Sequence, residues 1–159
     1  MNNVIDRQVA EVEYHPITKK MVKKTFFDDE GRPHCDNGAA IFTYNPVTGQ
    51  EMSRTYCQHG VITRDNGAAI EEIDLERLFH KLVWMKDGKK HRDGDAAEIK
   101  TDLVSGVEYS RAWYKNDLMH REQGYALTTF DRETGELDGR FHVLHGKRQS
   151  FIEFPDTSL

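Results

Sequence analysis

Apolar residues in this chain come in short bursts, each bounded by a cluster of turn-forming residues, and the arrangement recurs. The segment from Tyr14 to Phe27 opens Tyr-His-Pro-Ile-Thr, and the segment from Tyr44 to Tyr56 opens Tyr-Asn-Pro-Val-Thr. A third, Phe130 to Phe141, follows the same plan: an aromatic, a turn rich in Pro, Thr, Gly or Asn, and a return run. These are hairpin signals. Between the hairpins stands a glycine phrase, which starts at Gly31, Gly60, Gly88 and Asp117 and fades at Gly146. Its fullest copies end in Asp-Asn-Gly-Ala-Ala, at Ala39-Ala40 and Ala68-Ala69. A period near 29 residues is the mark of a repeat array. The expected fold is all-β, an antiparallel meander of stacked β-hairpin repeats. Its units run about 10–30, 31–59, 60–87, 88–116 and 117–145, with a partial cap at 146–154.

Within each unit the pattern predicts two strands and two turns. The Asn-Gly or Gln-Gly step supplies the positive φ of a tight turn, and the alanine pair lets neighbouring backbones approach. Phe27, Tyr56, Trp84 and Trp113 stand four residues before each phrase, with His142 in the last unit. They read as a stacked core column of the repeat scaffold. One stretch competes with this plan. Ile70, Ile73, Leu75, Leu78, Phe79, Leu82 and Val83 fall near helical spacing. The repeat register instead demands a turn near 74–77 and a strand from Leu78 to Trp84; a helical turn around Asp74–Leu78 stays open.

Composition narrows the function classes. The chain has 159 residues, 37% of them hydrophobic, 31% charged and 10% aromatic, which suits a thin sheet with much surface. Its net charge of −5 argues against a nucleic-acid partner. The one basic run, Lys19 to Lys24, reads as an edge strand protected by lysines. No apolar stretch is long enough for a membrane span. The opening residues from Met1 to Asp6 lack a signal-peptide pattern, and with two cysteines the expectation is a cytoplasmic protein.

The pattern aromatic-x-x-x-Gly-x-x-His-Arg-Asp-x-Gly-x-Ala, best seen from Trp84 to Ala97, resembles the MORN-like hairpin repeats of phage, giant-virus and bacterial proteins. The resemblance covers about residues 10 to 151. It implies a hairpin meander and, through bacterial antitoxin-like relatives, a role in toxin or defence inhibition. This chain differs from the family in its longer period and in Ala39, Ala68, Ala96 and Tyr125 where proline is usual.

Few residues are placed for chemistry. His34, His91 and His120 share one repeat position and are followed by Cys35, Arg92 and Arg121; Thr63 and Arg64 fill the second copy. The expectation is structural: histidine bonds the turn, and arginine pairs with Asp36, Asp65, Asp93 or Glu122 of the same phrase. The alternative is a His/Arg row that takes an anionic ligand or substrate. His34, Cys35, Cys57 and His59 are the one plausible metal set, although no Cys-x-x-Cys is present. No cofactor motif, nucleophile elbow or phosphate loop occurs, so no cofactor and no enzyme activity are expected. Binding is expected where the repeat breaks: at Glu72, Asp74, Glu76, Arg77, Leu78 and Phe79, and at the C-terminal run from Phe151 to Phe154. Apolar anchors beside charged residues suit a protein partner. Pairing of sheet edges between copies is a further expected mode of assembly.

Overall fold

A computed structural model describes residues 9–149, and the candidate run 151–154 lies outside them. In chain order the strands are β1 (Val9–Tyr14), β2 (Met21–Phe27), β3 (Ile41–Tyr44), β4 (Glu51–Thr55), β5 (Cys57–Gln58), β6 (Val61–Ile62), β7 (Ile70–Asp74), β8 (Phe79–Val83) and β9 (Met85–Lys86). They continue with β10 (Lys89–Lys90), β11 (Glu98–Asp102), β12 (Glu108–Ala112), β13 (Tyr114–Lys115), β14 (Leu118–Met119), β15 (Leu127–Phe130), β16 (Leu137–Phe141), β17 (Val143–Leu144) and β18 (Lys147–Arg148). Five long hairpins make one ten-stranded antiparallel sheet, in the order β1-β2-β3-β4-β7-β8-β11-β12-β15-β16. The all-β hairpin meander is therefore the fold, and the described residues contain no helix.

Four of the five glycine phrases also carry a second, small hairpin that the sequence pattern does not announce. While the first phrase has only the bridge Phe27↔Pro33, β5/β6, β9/β10, β13/β14 and β17/β18 are two-residue ribbons formed around Gly60, Gly88, Asp117 and Gly146. Their turns have two successive positive φ angles, as at His59 (47°) and Gly60 (83°). That is the type I′ geometry matched to strand twist. The ribbons are sewn to one another. Gly60 N–H donates to Pro33 O at 2.9 Å, Gly88 to Ile62 O at 3.0 Å, Asp117 to Lys90 O at 3.0 Å and Gly146 to Met119 O at 2.9 Å.

The alanine pairs are the seam of the array. Ala40, Ala69, Ala97 and Ala126 are 0% exposed. Trp84 N–H donates to Ala97 O (2.8 Å), and Ala97 N–H donates to Ala112 O (2.9 Å), so the alanine joins the hairpins on either side of it. The same two bonds recur at Ala40, Ala69 and Ala126. They also correct the first unit's register. Phe26, and not Phe27, donates to Ala40 O, because the 28–32 turn is one residue longer than its counterparts.

The aromatic column is not a stack of buried rings. Tyr56, Trp84 and Trp113 are each only partly buried. Each ring lies instead beneath an arginine of its own glycine phrase: Arg64 at 3.7 Å, Arg92 at 3.9 Å and Arg121 at 4.2 Å. The basic run is corrected as well. Lys23 and Lys24 lie on β2, which pairs with both β1 and β3, so this is an interior strand. Lys23 is held by Glu13 at 2.9 Å.

The competing segment follows the repeat register, with the strand beginning at Phe79. β7 and β8 flank a turn at 75–78, where Asp74 Oδ1 accepts the N–H groups of Glu76 (3.0 Å) and Arg77 (2.8 Å). The other four long hairpins shift register through a bulge; β7/β8 pairs without a break from Ile70↔Val83 to Asp74↔Phe79. That absent bulge residue is why the phrases at Gly60 and Gly88 are one residue closer than the rest.

Leu78 holds φ 55° and Lys19 φ 58°, where the other three corresponding turns have Gly49, Gly106 and Gly135. An L side chain in this region costs about 1–2 kcal/mol, which glycine avoids at a smaller entropic cost. Leu78→Gly is therefore expected to raise stability by about 0.5–1 kcal/mol in chemical denaturation. A loss of stability would mean that the exposed leucine side chain packs usefully on its neighbours.

Candidate functional site along the hairpin turns

The turns of the long hairpins lie side by side along one edge of the sheet. Thr18 Oγ1 donates to Pro46 O (2.7 Å), Leu103 N–H to Leu78 O (3.1 Å) and Ser105 Oγ to Arg132 O (2.5 Å). Each turn is closed by an Asx-type cap, from Asn45, Asp74, Asp102 or Asp131, with His15 Nδ1 accepting the Thr18 N–H in the first. The cap fixes the turn backbone and leaves the following side chains outside. Ile17, Val47 and Val104 are accordingly 83%, 69% and 79% exposed, with Leu75, Leu78 and Leu103 beside them. The result is a row of apolar residues on the rim of an otherwise polar molecule.

Beside this row lies a groove of about 670 Å³. Glu72, Asp74, Glu76, Arg77, Leu78 and Phe79 all line it, so the structure gathers the sequence-derived candidates in one place. Lys81, Glu98, Lys100, Tyr109 and Arg132 complete the lining. Glu72 is paired with Lys81 at 2.5 Å. Arg132 reaches across two hairpins: its Nη2 donates to Arg77 O (2.8 Å) and Leu78 O (2.6 Å) and forms an ion pair with Asp102 Oδ2 at 2.6 Å. Its guanidinium also lies 4.7 Å from the Tyr109 ring. Asp102 is the anchor. The N–H groups of Ser105 and Val104, with Arg132 behind them, hold its carboxyl down at about 2. It remains ionised at neutral pH and keeps Arg132 in place. Sequence reasoning missed Arg132, yet a signal was there: the matching turn positions hold Pro16, Pro46, Leu75 and Leu103.

The His/Arg row is divided among separate turns. His34 Nε2 is 3.1 Å from Asp36, and His91 Nε2 is 3.0 Å from Asp93. Asp36 and Asp93 thus serve the histidines; the expected pairing of an arginine with a carboxylate of its own phrase holds for Arg92, through Asp95 and not Asp93. Arg64 pairs with Glu71 (3.0 Å) and Arg92 with Asp95 (2.9 Å). Both, like Arg121, cap a backbone carbonyl of their own phrase: Ala68 at 2.9 Å, Ala96 at 3.1 Å and Tyr125 at 3.2 Å.

The four residues of the possible metal set do meet at one end of the first unit. His34 stacks on His59 at 4.2 Å, and Cys35 N–H approaches Cys57 O at 3.4 Å. Their donor atoms are otherwise engaged. His34 Nδ1 accepts the His59 N–H (3.2 Å), and burial pushes the Cys57 thiol up, away from the thiolate a metal requires. Among the described residues no three His, Cys, Asp or Glu side chains converge as a metal group. No helix of the described residues is long and apolar enough to cross a membrane.

No family model, curated protein or solved structure matches this chain.

Proposed function

We propose that this chain is a non-enzymatic protein-binding module whose partner docks on the turn edge. The carrying observation is the exposed apolar row of Ile17, Val47, Leu75, Leu78, Leu103 and Val104, contiguous with the charged groove that Arg132 braces. An exposed apolar patch rimmed by charge is the ordinary make-up of a protein interface. A non-catalytic role fits the local engagement of His34 and His91 by carboxylates, and of Arg64, Arg92 and Arg121 by carbonyls, of their own phrases. The MORN-like resemblance suggests the setting: a cytoplasmic phage or prophage protein that inhibits a bacterial defence protein or toxin.

The test is capture of partners from a bacterial host lysate, followed by affinity measurement with the pair Val104→Asp and Glu76→Lys. Both side chains are exposed, so the fold should be unaffected. Binding is expected to weaken at least about tenfold, the loss of one or two interface contacts. Unchanged affinity in a folded double variant would remove the turn edge from the interface and sink this reading.

A further inference from the structure

Arg121 is the exception among the three phrase arginines. Arg64 meets Glu71 seven residues on, and Arg92 meets Asp95 three residues on. The same offsets from Arg121 fall on Thr128 and Gly124, so neither carboxylate is there. No carboxylate oxygen of the described residues is within ion-pair distance of it. Of its five donors, one hydrogen bond is formed, from Nη1 to Tyr125 O at 3.2 Å. One face of the guanidinium is covered by the Trp113 ring at 4.2 Å, and Gly124 crowds it closely. Burial first, then the charge of Arg111, push its pKa down, against an opposing pull from Asp95, whose carboxylate is itself paired with Arg92 and Arg111.

A second donor points the same way. His120 Nδ1 accepts the His145 N–H at 3.2 Å, which leaves the ring proton on Nε2. That side chain is 5% exposed, and Nε2 has no hydrogen-bond partner; Glu122, 3.7 Å away and largely exposed, stops short of it. Asp36 and Asp93 close this gap at the corresponding positions of two other phrases. Arg121 and His120 line one groove of about 390 Å³ between the phrases at 91–94 and 120–123, with Trp113, Tyr114 and Lys115.

We infer that this groove is a binding site for one carboxylate, presented by an acidic side chain of a protein partner and held between Arg121 and the Nε2–H of His120. The identity of its source rests on the protein-binding reading above; the site itself does not. A carboxylate accepts from both donors in its plane, and the Trp113 and Tyr114 rings receive the methylene stem behind it. Thr128 lies opposite Arg111 in the sheet, in the row that also contains Glu71, so it marks where an internal carboxylate would reach Arg121.

The experiment is an NMR titration of the isolated chain with N-acetylglutamate α-amide, with inorganic phosphate as the rival oxyanion. Saturable shifts of the Trp113 indole N–H and the His120 ring signals are expected with the carboxylate. Arg121→Gln should weaken binding at least about tenfold, the scale of a lost charge-assisted bond. Thr128→Glu should abolish it by filling the site from within, and this variant keeps the arginine and the fold. Arg64→Gln, in a different phrase, should leave it intact. Absence of saturation in the wild type, or equal binding by Thr128→Glu, would overturn the site. Tighter binding of phosphate would overturn the assignment to a carboxylate. Because no partner is used, this result and that of the lysate capture can fail independently.

Discussion

Ala97→Leu is expected to destabilise the protein by about 3 kcal/mol, the upper part of the range for overpacking a closed interior. Ala97 is fully buried, and its backbone is bonded on both sides, to Trp84 N–H and Ala112 O. At 0% exposure the extra carbons of a leucine press into the closed space between the neighbouring hairpins. The hairpins must part, and the loss therefore includes strained hydrogen bonds as well as steric contact. Ala69→Leu, at the equivalent seam, should behave alike. Val104→Ala on the exposed turn should stay within about 0.5 kcal/mol of the wild type. The measurement is urea denaturation of all three. An Ala97→Leu variant as stable as the control would show that the seam is loose, and the array would then owe its cohesion to the strand ladders alone.

The second large effect concerns Glu98 and Lys90, a pair at 2.5 Å. Glu98 occupies the repeat position of Ile41, Ile70 and Leu127, side by side with them in one row across the sheet. Lys90 occupies that of Ile62 and Met119. Two positions that are apolar in the neighbouring units thus hold an ion pair here. Burial works to push Glu98 up, yet the Lys90 and Lys100 ammonium groups hold it below the usual carboxylate range. Its side chain is 15% exposed, and that of Lys90 is 34%. Glu98→Leu alone strands the half-buried ammonium and should cost about 2 kcal/mol, less than the loss for a fully buried pair because Lys90 can still reach water. Glu98→Leu with Lys90→Met restores the apolar residues of the other units, and its stability should equal or exceed the wild type's. A double variant less stable than either single one would mean that the ion pair itself holds this part of the array together.

The contrast between these two sites shows which features are encoded locally. The period, the hairpin turns and the small residues of the seam are set by side chains acting within a few positions of themselves. Asn45 and Asp131 cap their own turns, glycine takes up positive φ, and alanine leaves room for a neighbouring backbone whatever that neighbour is. For this reason the meander could be read from the sequence alone; six residues between Glu72 and Phe79, singled out because they break the repeat, line one groove. The register of the first unit could not. One additional residue in the 28–32 turn moves the ring position from Phe27 to Phe26, and only the bond to Ala40 reveals it.

The small ribbons were also out of reach, because two-residue strands carry no periodicity and owe their pairing to the bonds between successive units. Lateral pairing of the hairpins was decisive for the sites. It carries Arg132 across to the carbonyls of Arg77 and Leu78, 55 and 54 residues earlier in the chain. It places β2 and its lysines inside the sheet, and it puts Thr128 and not a carboxylate in the row from which Glu71 reaches Arg64. Local turn chemistry determined what each unit is. Which side chains become partners was decided by strand pairing, because register between distant strands depends on all the residues that lie between them.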